Sequence, residues 1–353
     1  MRWLSGDPPR GFFARALVAL VAAGLAATPL LFAGAKPLAV AEKISVMAAL
    51  AASYDVLLGY TGVVSFAHVM FFGIGAYGVG LSSYALGPGW GALALGLAAG
   101  FALSALLALA IGLFSLRVQA IFFAMVTLAV AYAFNVLASQ LPDFTGGEDG
   151  RTFRVPEILR PGHKFGEWLG VDFTGRTLSY YLALAGAAVL FLILLRIVNS
   201  PFGRVLQAIR ENPFRAEALG YRIVVHRTLA TVVAALAAAF AGGLDALWQR
   251  YVGPDTALSF SIQIDVLVIV VIGGRGTLYG AVVGAAVFVI AENYLRSAIG
   301  AVSAGAADLG LPLLPSLFHA DRWLLWLGLL FILAVRFAPR GIIGELERRA
   351  EPS

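Results

Sequence analysis

Ten long apolar runs, each followed by a polar or glycine-rich segment, dominate the pattern of the chain. Their apolar character is continuous rather than alternating, and most approach the length of about 20 residues that a helix needs to cross a bilayer. Because lipid offers the backbone no hydrogen-bond partner, such runs form helices. The pattern predicts an all-α polytopic membrane protein of about ten transmembrane helices. The runs cover residues 16–35, 44–60, 63–86, 90–115, 118–137, 178–198, 228–248, 257–273, 277–294 and 323–335.

The first run has two interpretations. It follows Arg2, Arg10 and Arg15 and ends in Ala33-Gly34-Ala35, a sequence typical of a signal-peptide cleavage site. However, the apolar core of a signal peptide has about 7–15 residues, and this run is longer. We therefore expect an uncleaved first span.

Composition agrees with a membrane protein. Of the 353 residues, 60% are hydrophobic and 13% are charged, and the mean hydropathy is +0.87. A soluble domain carries about 25% charged residues. The net charge of +5 comes from arginines scattered among connecting segments, so no basic stripe indicates nucleic-acid binding. The absence of cysteine excludes disulfides, zinc–thiolate clusters and thiol catalysis. We expect one membrane domain over residues 1–353.

The distribution of basic residues predicts the orientation. An even number of spans places both termini on one side, and that side then carries 15 of the 25 lysines and arginines. Cytoplasmic segments are enriched in these residues. We therefore expect residues 1–15, 199–227 and 338–353 to be cytoplasmic. Residues 138–177, with five basic and six acidic residues, are expected to be periplasmic.

Two motifs resemble nucleotide sites without meeting their requirements. Residues 73–78 match the dinucleotide pattern G-x-G-x-x-G, but they lie inside an apolar run rather than after a strand, which favours helix packing. The small-xxx-small pairs Gly96–Gly100, Gly276–Gly280 and Gly280–Gly284 favour it as well. No lysine follows a glycine, so the chain has no Walker A loop, and any ATP must be hydrolysed by another chain.

Two glycine-rich stretches lie next to apolar spans, one early and one late in the chain. They predict either discontinuous helices beside a translocation path or tight turns between spans. The first interpretation makes these residues, with the neighbouring polar ones, candidates for the path: Asp55, Gly59, Gly62, Ser65, His68, Gly273, Gly274 and Gly276.

Five ionisable residues fall at membrane depth, where a charge facing lipid costs about 2.5–3.5 kcal/mol or more. They are Asp55, His68, Asp245, Asp265 and Glu292. We expect them to face the interior of the bundle, either for function or for interhelical hydrogen bonds.

An intramembrane enzyme would need catalytic spacing that is absent, and His68 has no neighbouring metal ligand. An ion-coupled secondary transporter stays an alternative.

The segment 200–220 predicts a partner-binding element outside the bilayer. Residues 216–219 are expected to form a short helix, with Pro213 at its entry and Gly220 as the glycine that ends it. The alternative is a solvated loop. The residues expected to contact a partner are Arg204, Arg210, Glu211, Arg215, Glu217 and Gly220.

Several ordered blocks carry a family resemblance. They are Leu57-Leu-Gly-Tyr-Thr-Gly-Val-Val-Ser-Phe-Ala-His68, Phe72-Gly-Ile-Gly-Ala-Tyr77, Phe123-Ala-Met-Val-Thr-Leu128, Thr145-Gly-Gly147, Val271-Ile-Gly-Gly-Arg-Gly-Thr277 and Phe337-Ala-Pro-Arg-Gly341. Together they resemble LivM-type permeases, the membrane subunits of branched-chain amino acid ABC importers. That family more often has Asn at position 55 and Gln at position 63, so the substrate specificity differs if these positions face substrate.

The resemblance implies a transport subunit rather than an enzyme, located in a bacterial inner membrane and holding no cofactor of its own. The segment 199–227 resembles the family's coupling loop. The implied partners are a homologous second permease, two cytoplasmic ATP-binding subunits and a periplasmic solute-binding protein. Permeases for urea and short amides are similar to this family, so the substrate stays open.

Overall fold

The computed structural model describes residues 11–32, 34–114, 120–168, 171–308 and 322–350. In this part of the chain, nine helical segments are long and apolar enough to cross a membrane, which confirms the all-α polytopic class. They are Phe12–Leu31, Ala35–Thr61, His68–Leu86, Trp90–Leu113, Ile121–Gln140, Gly175–Val198, Ile223–Gln249, Pro254–Gly273 and Leu278–Ala301.

We number the α-helices in chain order. They are α1 (Phe12–Leu31), α2 (Ala35–Asp55), α3 (His68–Leu86), α4 (Trp90–Phe114), α5 (Ala120–Gln140), α6 (Pro142–Thr145), α7 (Gly175–Val198), α8 (Pro201–Glu211), α9 (Pro213–Ala218), α10 (Ile223–Gln249), α11 (Pro254–Ala257), α12 (Phe260–Gly273), α13 (Leu278–Asp308), α14 (Trp323–Phe337) and α15 (Gly341–Ala350). A π-helix, Val56–Thr61, continues α2.

The tenth predicted span corresponds to α14, which has only 15 residues. At about 1.5 Å per residue it is shorter than the hydrocarbon core of a bilayer, which is about 30 Å thick. The position of α14 still indicates a crossing. Gly341, which follows α14, packs on Gly274 in the turn that leads into α13. The chain therefore returns, between the end of α13 and Gly341, to the end of the bundle that α13 left.

Contacts between connecting segments define two ends of the bundle. At one, the Gly59 end, the segments after α2, α7 and α12 meet around Gly59, Arg210 and Gly276. At the other, the Val252 end, β1 (Arg151–Thr152) pairs antiparallel with β4 (Tyr251–Val252). The predicted cytoplasmic segment 199–227 and the predicted periplasmic segment 138–177 thus lie at opposite ends.

Short strands occur at the Val252 end, where the hydropathy pattern predicted none. Besides the β1–β4 pair, β2 (Lys164–Trp168) and β3 (Val171–Thr174) form an antiparallel hairpin. These segments contain too few apolar residues in sequence to produce a recognisable alternating pattern. Phe153, Val155 and Leu159 nevertheless form a buried cluster with Val252, which fixes the segment against the bundle.

Glycines bring the central helices into close contact. A Cβ on Gly75 would lie 1.8 Å from the carbonyl oxygen of Ala239 in α10, and one on Gly78 would lie 2.4 Å from that of Gly96 in α4. The 73–78 motif is therefore a helix-crossing surface, as the packing interpretation predicted. On the other side of the bundle, Gly280 and Gly284 allow α13 to pack on the backbone of α12.

Helix α2 forms the centre of the fold. It packs against α7, α10, α12 and α13 and, with the π-helix, is almost entirely buried. By contrast, α1, α4 and α5 have large exposed apolar side chains, among them Leu20, Leu106 and Ile121. Such surfaces suit contact with lipid acyl chains.

Candidate coupling and translocation site

The first glycine-rich stretch joins α2 to α3. The π-helix ends at Gly62, which adopts a left-handed conformation (φ 73°), and residues 63–67 lead to the start of α3 at His68. The backbone N–H of Phe66 donates to Thr127 Oγ1 (3.0 Å) and that of Val69 to Gln263 Oε1 (3.1 Å). The first backbone N–H groups of a helix have no partner within the helix. Side chains from α5 and α12 thus accept hydrogen bonds from backbone N–H groups around the start of α3.

The second glycine-rich stretch joins α12 to α13. Gly274 and Gly276 have positive φ values of 116° and 83°, and Thr277 Oγ1 donates to the Gly274 carbonyl (2.7 Å). Both stretches therefore include a turn between consecutive spans, and their place beside a translocation path stays a prediction. What the sequence did not indicate is that the two turns are in contact.

Asp55 connects these turns. Its carboxylate accepts the backbone N–H of Gly276 with both oxygens, at 2.8 and 3.1 Å, across 221 residues of sequence. The contact requires a glycine at position 59, because a Cβ there would lie 2.2 Å from Asp55 Oδ1 and 2.3 Å from the Gly276 nitrogen. Asp55, Gly59 and Gly276 thus belong to one packed unit.

Two helices, α8 and α9, form an arm at the Gly59 end. Asn212 caps α9 by accepting the N–H of Arg215 with its side chain (2.9 Å), and Pro213 occupies the first position of the helix. After α9, the N–H of Gly220 donates to Glu217 O and that of Tyr221 to Ala216 O, with Gly220 at φ 89°. These bonds form a Schellman motif, so the predicted glycine stop is confirmed. Helix α9 begins at Pro213, three residues before the predicted start at residue 216.

The arm has one face on the bundle and one in solvent. Gly203, Leu206 and Ile209 of α8 are buried, at the spacing of one helix face. Phe214 and Leu219 are 82% and 72% exposed, among charged residues that are exposed as well. The exposed charged residues are Arg204, Arg210, Glu211, Arg215 and Glu217.

Arg210 links the arm to both turns. Its guanidinium donates a hydrogen bond to the carbonyl oxygen of Gly59. A Cβ on Gly276 would lie 3.1 Å from Arg210 Nη1, and one on Gly62 3.1 Å from Arg210 Cγ. A residue predicted to contact a partner therefore also touches three of the residues predicted for the path.

The segment after α14 completes this end. A Cβ on Gly341 would lie 2.2 Å from Gly274 Cα, and one on Gly274 2.7 Å from the Arg340 carbonyl oxygen. A Cβ on Gly273 would lie 1.9 Å from the Gly280 carbonyl oxygen. The closing Pro-Arg-Gly block thus packs on the second turn, a contact that its position in the sequence could not reveal.

Ser65 and His68 are buried beside the first turn. His68 Nε2 lies 2.8 Å from Ser53 Oγ, while Ser53 donates its only hydroxyl hydrogen to the Leu50 carbonyl (2.7 Å). Nε2 must therefore donate to Ser53, and His68 is not placed to act as a base toward it. Asp55 hydrogen-bonds to the backbone N–H of Gly276 and not to His68. The sequence did not suggest that Ser53 and His68 are in contact, and their hydrogen bonds support a role in packing.

The other ionisable residues at membrane depth lie away from the turns. Asp245, Asp265 and Glu292 line a common pocket toward the Val252 end. Asp245 accepts a hydrogen bond from Gln249 (2.5 Å), and Glu292 accepts two from Lys43 (2.8 and 2.9 Å). They face the protein interior, as their cost in lipid predicts.

These features define a multi-pass α-helical membrane protein whose connecting segments converge at one end. The family described as "Branched-chain amino acid transport system / permease component" matches residues 36–335, and the chain belongs to this family. The resemblance noted in the motifs is thereby confirmed.

Individual relatives agree with the family match. The chain is 29% identical over 258 residues to the high-affinity branched-chain amino acid transport system permease protein LivM of Salmonella typhimurium, and 29% identical over 262 residues to LivM of Escherichia coli. A probable LivM of Methanocaldococcus jannaschii is 28% identical over 220 residues. These matches cover 69%, 69% and 62% of this chain, and 59%, 59% and 58% of the relatives. The chain thus spans about three fifths of the length of these relatives. No solved structure matches the chain.

Proposed function

We propose that this chain is the permease subunit of an ATP-driven importer that carries branched-chain or related hydrophobic amino acids into the cytoplasm. The family description and the names of the LivM relatives support this substrate class. The proposed location is a bacterial inner membrane, with the Gly59 end on the cytoplasmic side.

The proposed partners are a second homologous permease, two ATP-binding subunits and a periplasmic solute-binding protein. The chain needs ATP-binding partners because its three lysines offer no Walker A loop. No bond of the substrate is made or broken in this scheme. The chain is then a transport subunit rather than an enzyme, and it holds no cofactor.

One observation carries the mechanism: Arg210 of the arm contacts the Gly59 turn and lies beside the Gly276 turn. In alternating access, closure of the ATP-binding subunits would displace the arm. Arg210 and the Asp55–Gly276 bonds would pass that displacement to α2, α3, α12 and α13 together. The exposed Phe214 and Leu219, surrounded by charges, offer the partner an apolar anchor with a polar rim.

The first experiment tests the arm as the binding surface for the ATP-binding subunits. We expect Glu217→Lys to reduce copurification of these subunits, because it reverses a charge that can accept charge-assisted hydrogen bonds worth about 1.5–3 kcal/mol each. Glu157→Lys is the control, since Glu157 is exposed at the Val252 end. Full copurification of the Glu217→Lys variant would contradict the assignment.

Substitutions of Gly220 allow a second comparison, which separates the effect of backbone strain from the effect of side-chain size. Both Gly220→Ala and Gly220→Trp place a side chain at φ 89°, which costs about 1–2 kcal/mol. Neither side chain meets another atom of this chain at its Cβ. Only the tryptophan is large enough to collide with a partner. We expect binding-protein-stimulated ATP hydrolysis to be lost with Trp and largely kept with Ala; equal activities would exclude a partner close to Gly220.

The same reconstituted system distinguishes the alternatives. Uptake of urea without uptake of leucine would indicate a short-amide permease. Leucine uptake that needs an ion gradient but no ATP-binding subunit would indicate a secondary transporter. ATP-dependent leucine uptake that requires all partners is the expected result.

A further inference from the structure

A polar pocket opens between α2, α10, α12 and α13, on the side of the bundle away from the glycine turns. Its volume is about 430 Å³, within the range of small-molecule sites. Four carboxylates from these four helices line it, with one lysine: Glu42, Asp245, Asp265, Glu292 and Lys43. Asp255, which precedes α12, contributes a fifth carboxylate.

The hydrogen bonds of the pocket leave carboxyl oxygens without a charged donor. Lys43 is committed to Glu292 (2.8 and 2.9 Å), and Asp245 accepts only an uncharged amide donor from Gln249. Glu42 is 2% exposed, and its Oε1 has no hydrogen-bond partner. A buried acceptor of this kind is costly unless a donor reaches it. Lys43 lies next to Glu42 but bonds to Glu292, so no cationic side chain donates a hydrogen bond to Glu42 Oε1.

A metal ion does not fit this donor set. Within the described ranges, no three His, Cys, Asp or Glu residues are grouped closely enough to hold one. The walls also include Met47, Phe72 and Ile262, which offer contact to an apolar group rather than to ion-bound water. An ammonium group attached to an apolar side chain matches both parts of the pocket.

We propose that this pocket binds the ammonium group of the transported amino acid as it enters from the Val252 end, an inference that rests on the transport function proposed above. Glu42 accepts a hydrogen bond from the ammonium, Asp265 attracts it electrostatically from another wall of the pocket, and the apolar walls contact the substrate side chain. Glu42 is the eighth residue of α2, about 10 Å from the start of the helix. The site is thus reached before substrate passes to the glycine turns.

The test measures binding to the full chain in lipid nanodiscs by titration calorimetry, with three probes of similar carbon skeleton: leucine, 3-methylbutylamine and 4-methylpentanoate. We expect leucine and the amine to bind and the carboxylate, which lacks the ammonium group, not to bind. Glu42→Gln should weaken binding of the amine about tenfold or more, since a charge-assisted bond becomes a neutral one.

Asp265→Asn is a second variant at a partly exposed position, useful if Glu42→Gln reduces the yield of folded protein. Glu157→Gln, an exposed carboxylate outside the pocket, is the matched control and should keep full affinity. Binding of 4-methylpentanoate as tight as that of the amine, no binding of the amine, or unchanged amine affinity in both pocket variants would overturn the proposal.

The binding test of the pocket and the transport experiment can fail independently of each other. Partner-dependent leucine uptake that is unchanged in Glu42→Gln and Asp265→Asn would remove the pocket and leave the proposed function intact. Amine binding that is weakened by these variants, in a chain that does not associate with ATP-binding subunits, would support the pocket while contradicting the importer.

Discussion

Asp55 differs from Asp245 and Glu292 because its hydrogen-bond partner is a backbone N–H rather than another side chain. Both of its oxygens accept the N–H of Gly276, and Gly59 leaves the space for that approach. The arrangement shows why a carboxylate is tolerated at the buried end of α2: a backbone donor and the nearby guanidinium of Arg210 compensate for the loss of water. The bond holds two turns together and so has a structural role whatever the substrate.

An Asn at position 55 tests whether charge or hydrogen bonding matters there. We expect Asp55→Asn to leave assembly intact, because the amide oxygen can still accept the Gly276 N–H. The rate of uptake should fall about fivefold, equivalent to about 1 kcal/mol, because the attraction to Arg210 is lost. Uptake assays across substrates and pH give the measurement. An unchanged rate throughout would reduce Asp55 to a packing residue.

Helices were the most predictable elements of this fold, and their contacts the least. The bilayer forces long apolar runs into helices, so the hydropathy pattern located α1 to α5, α7, α10, α12 and α13. A search for continuous apolar runs does not detect α8, because this helix of 11 residues is amphipathic and buries only one face. The bond from Arg210 to Gly59 joins residues 151 apart, and no local pattern encodes such a pairing.

The crossing of α3 with α10 can be tested at Gly75. We expect Gly75→Val to lower the thermal midpoint of unfolding markedly, because its Cβ would meet the Ala239 backbone, which cannot move aside as a side chain can. Overpacking of this kind costs about 1–3 kcal/mol or more. Gly24→Val in α1 is the control, since nothing lies within 4 Å of its Cβ. Equal midpoints, measured by fluorescence-detected size exclusion after heating, would contradict this account of the crossing.

The whole molecule is polarised between its two ends. At the Gly59 end, the turns, the arm and the closing segment pack tightly together, while the Val252 end carries short strands and lies nearer the acidic pocket. The proposed importer needs this polarity, since substrate and ATP-binding subunits approach from opposite sides. The order of the apolar runs predicted that residues 138–177 and 199–227 lie at opposite ends, whereas the packing of each end depends on contacts between residues far apart in the sequence.

Reporter fusions test the orientation. We expect a reporter inserted after Gly220 to give a cytoplasmic signal and one after Gly162 a periplasmic signal. Gly162 precedes α7 and Gly220 follows it, so they lie beyond opposite ends of this span, and the arginine-rich segment favours the cytoplasm. Paired alkaline phosphatase and green fluorescent protein fusions give the measurement. Signals from the same side would overturn the span count between these positions.

The burial of α2 has a consequence for biogenesis. The ribosome makes this helix before α7, α10, α12 and α13, whose surfaces enclose it. Until they arrive, Glu42 and Lys43 have no bundle interior to face, and the helix is a poor stop-transfer segment on its own. Its enclosure by the other helices is therefore completed only after α13 has been made. A prematurely terminated chain would expose a charged helix to lipid, a feature by which membrane proteases can distinguish unfinished chains from assembled ones.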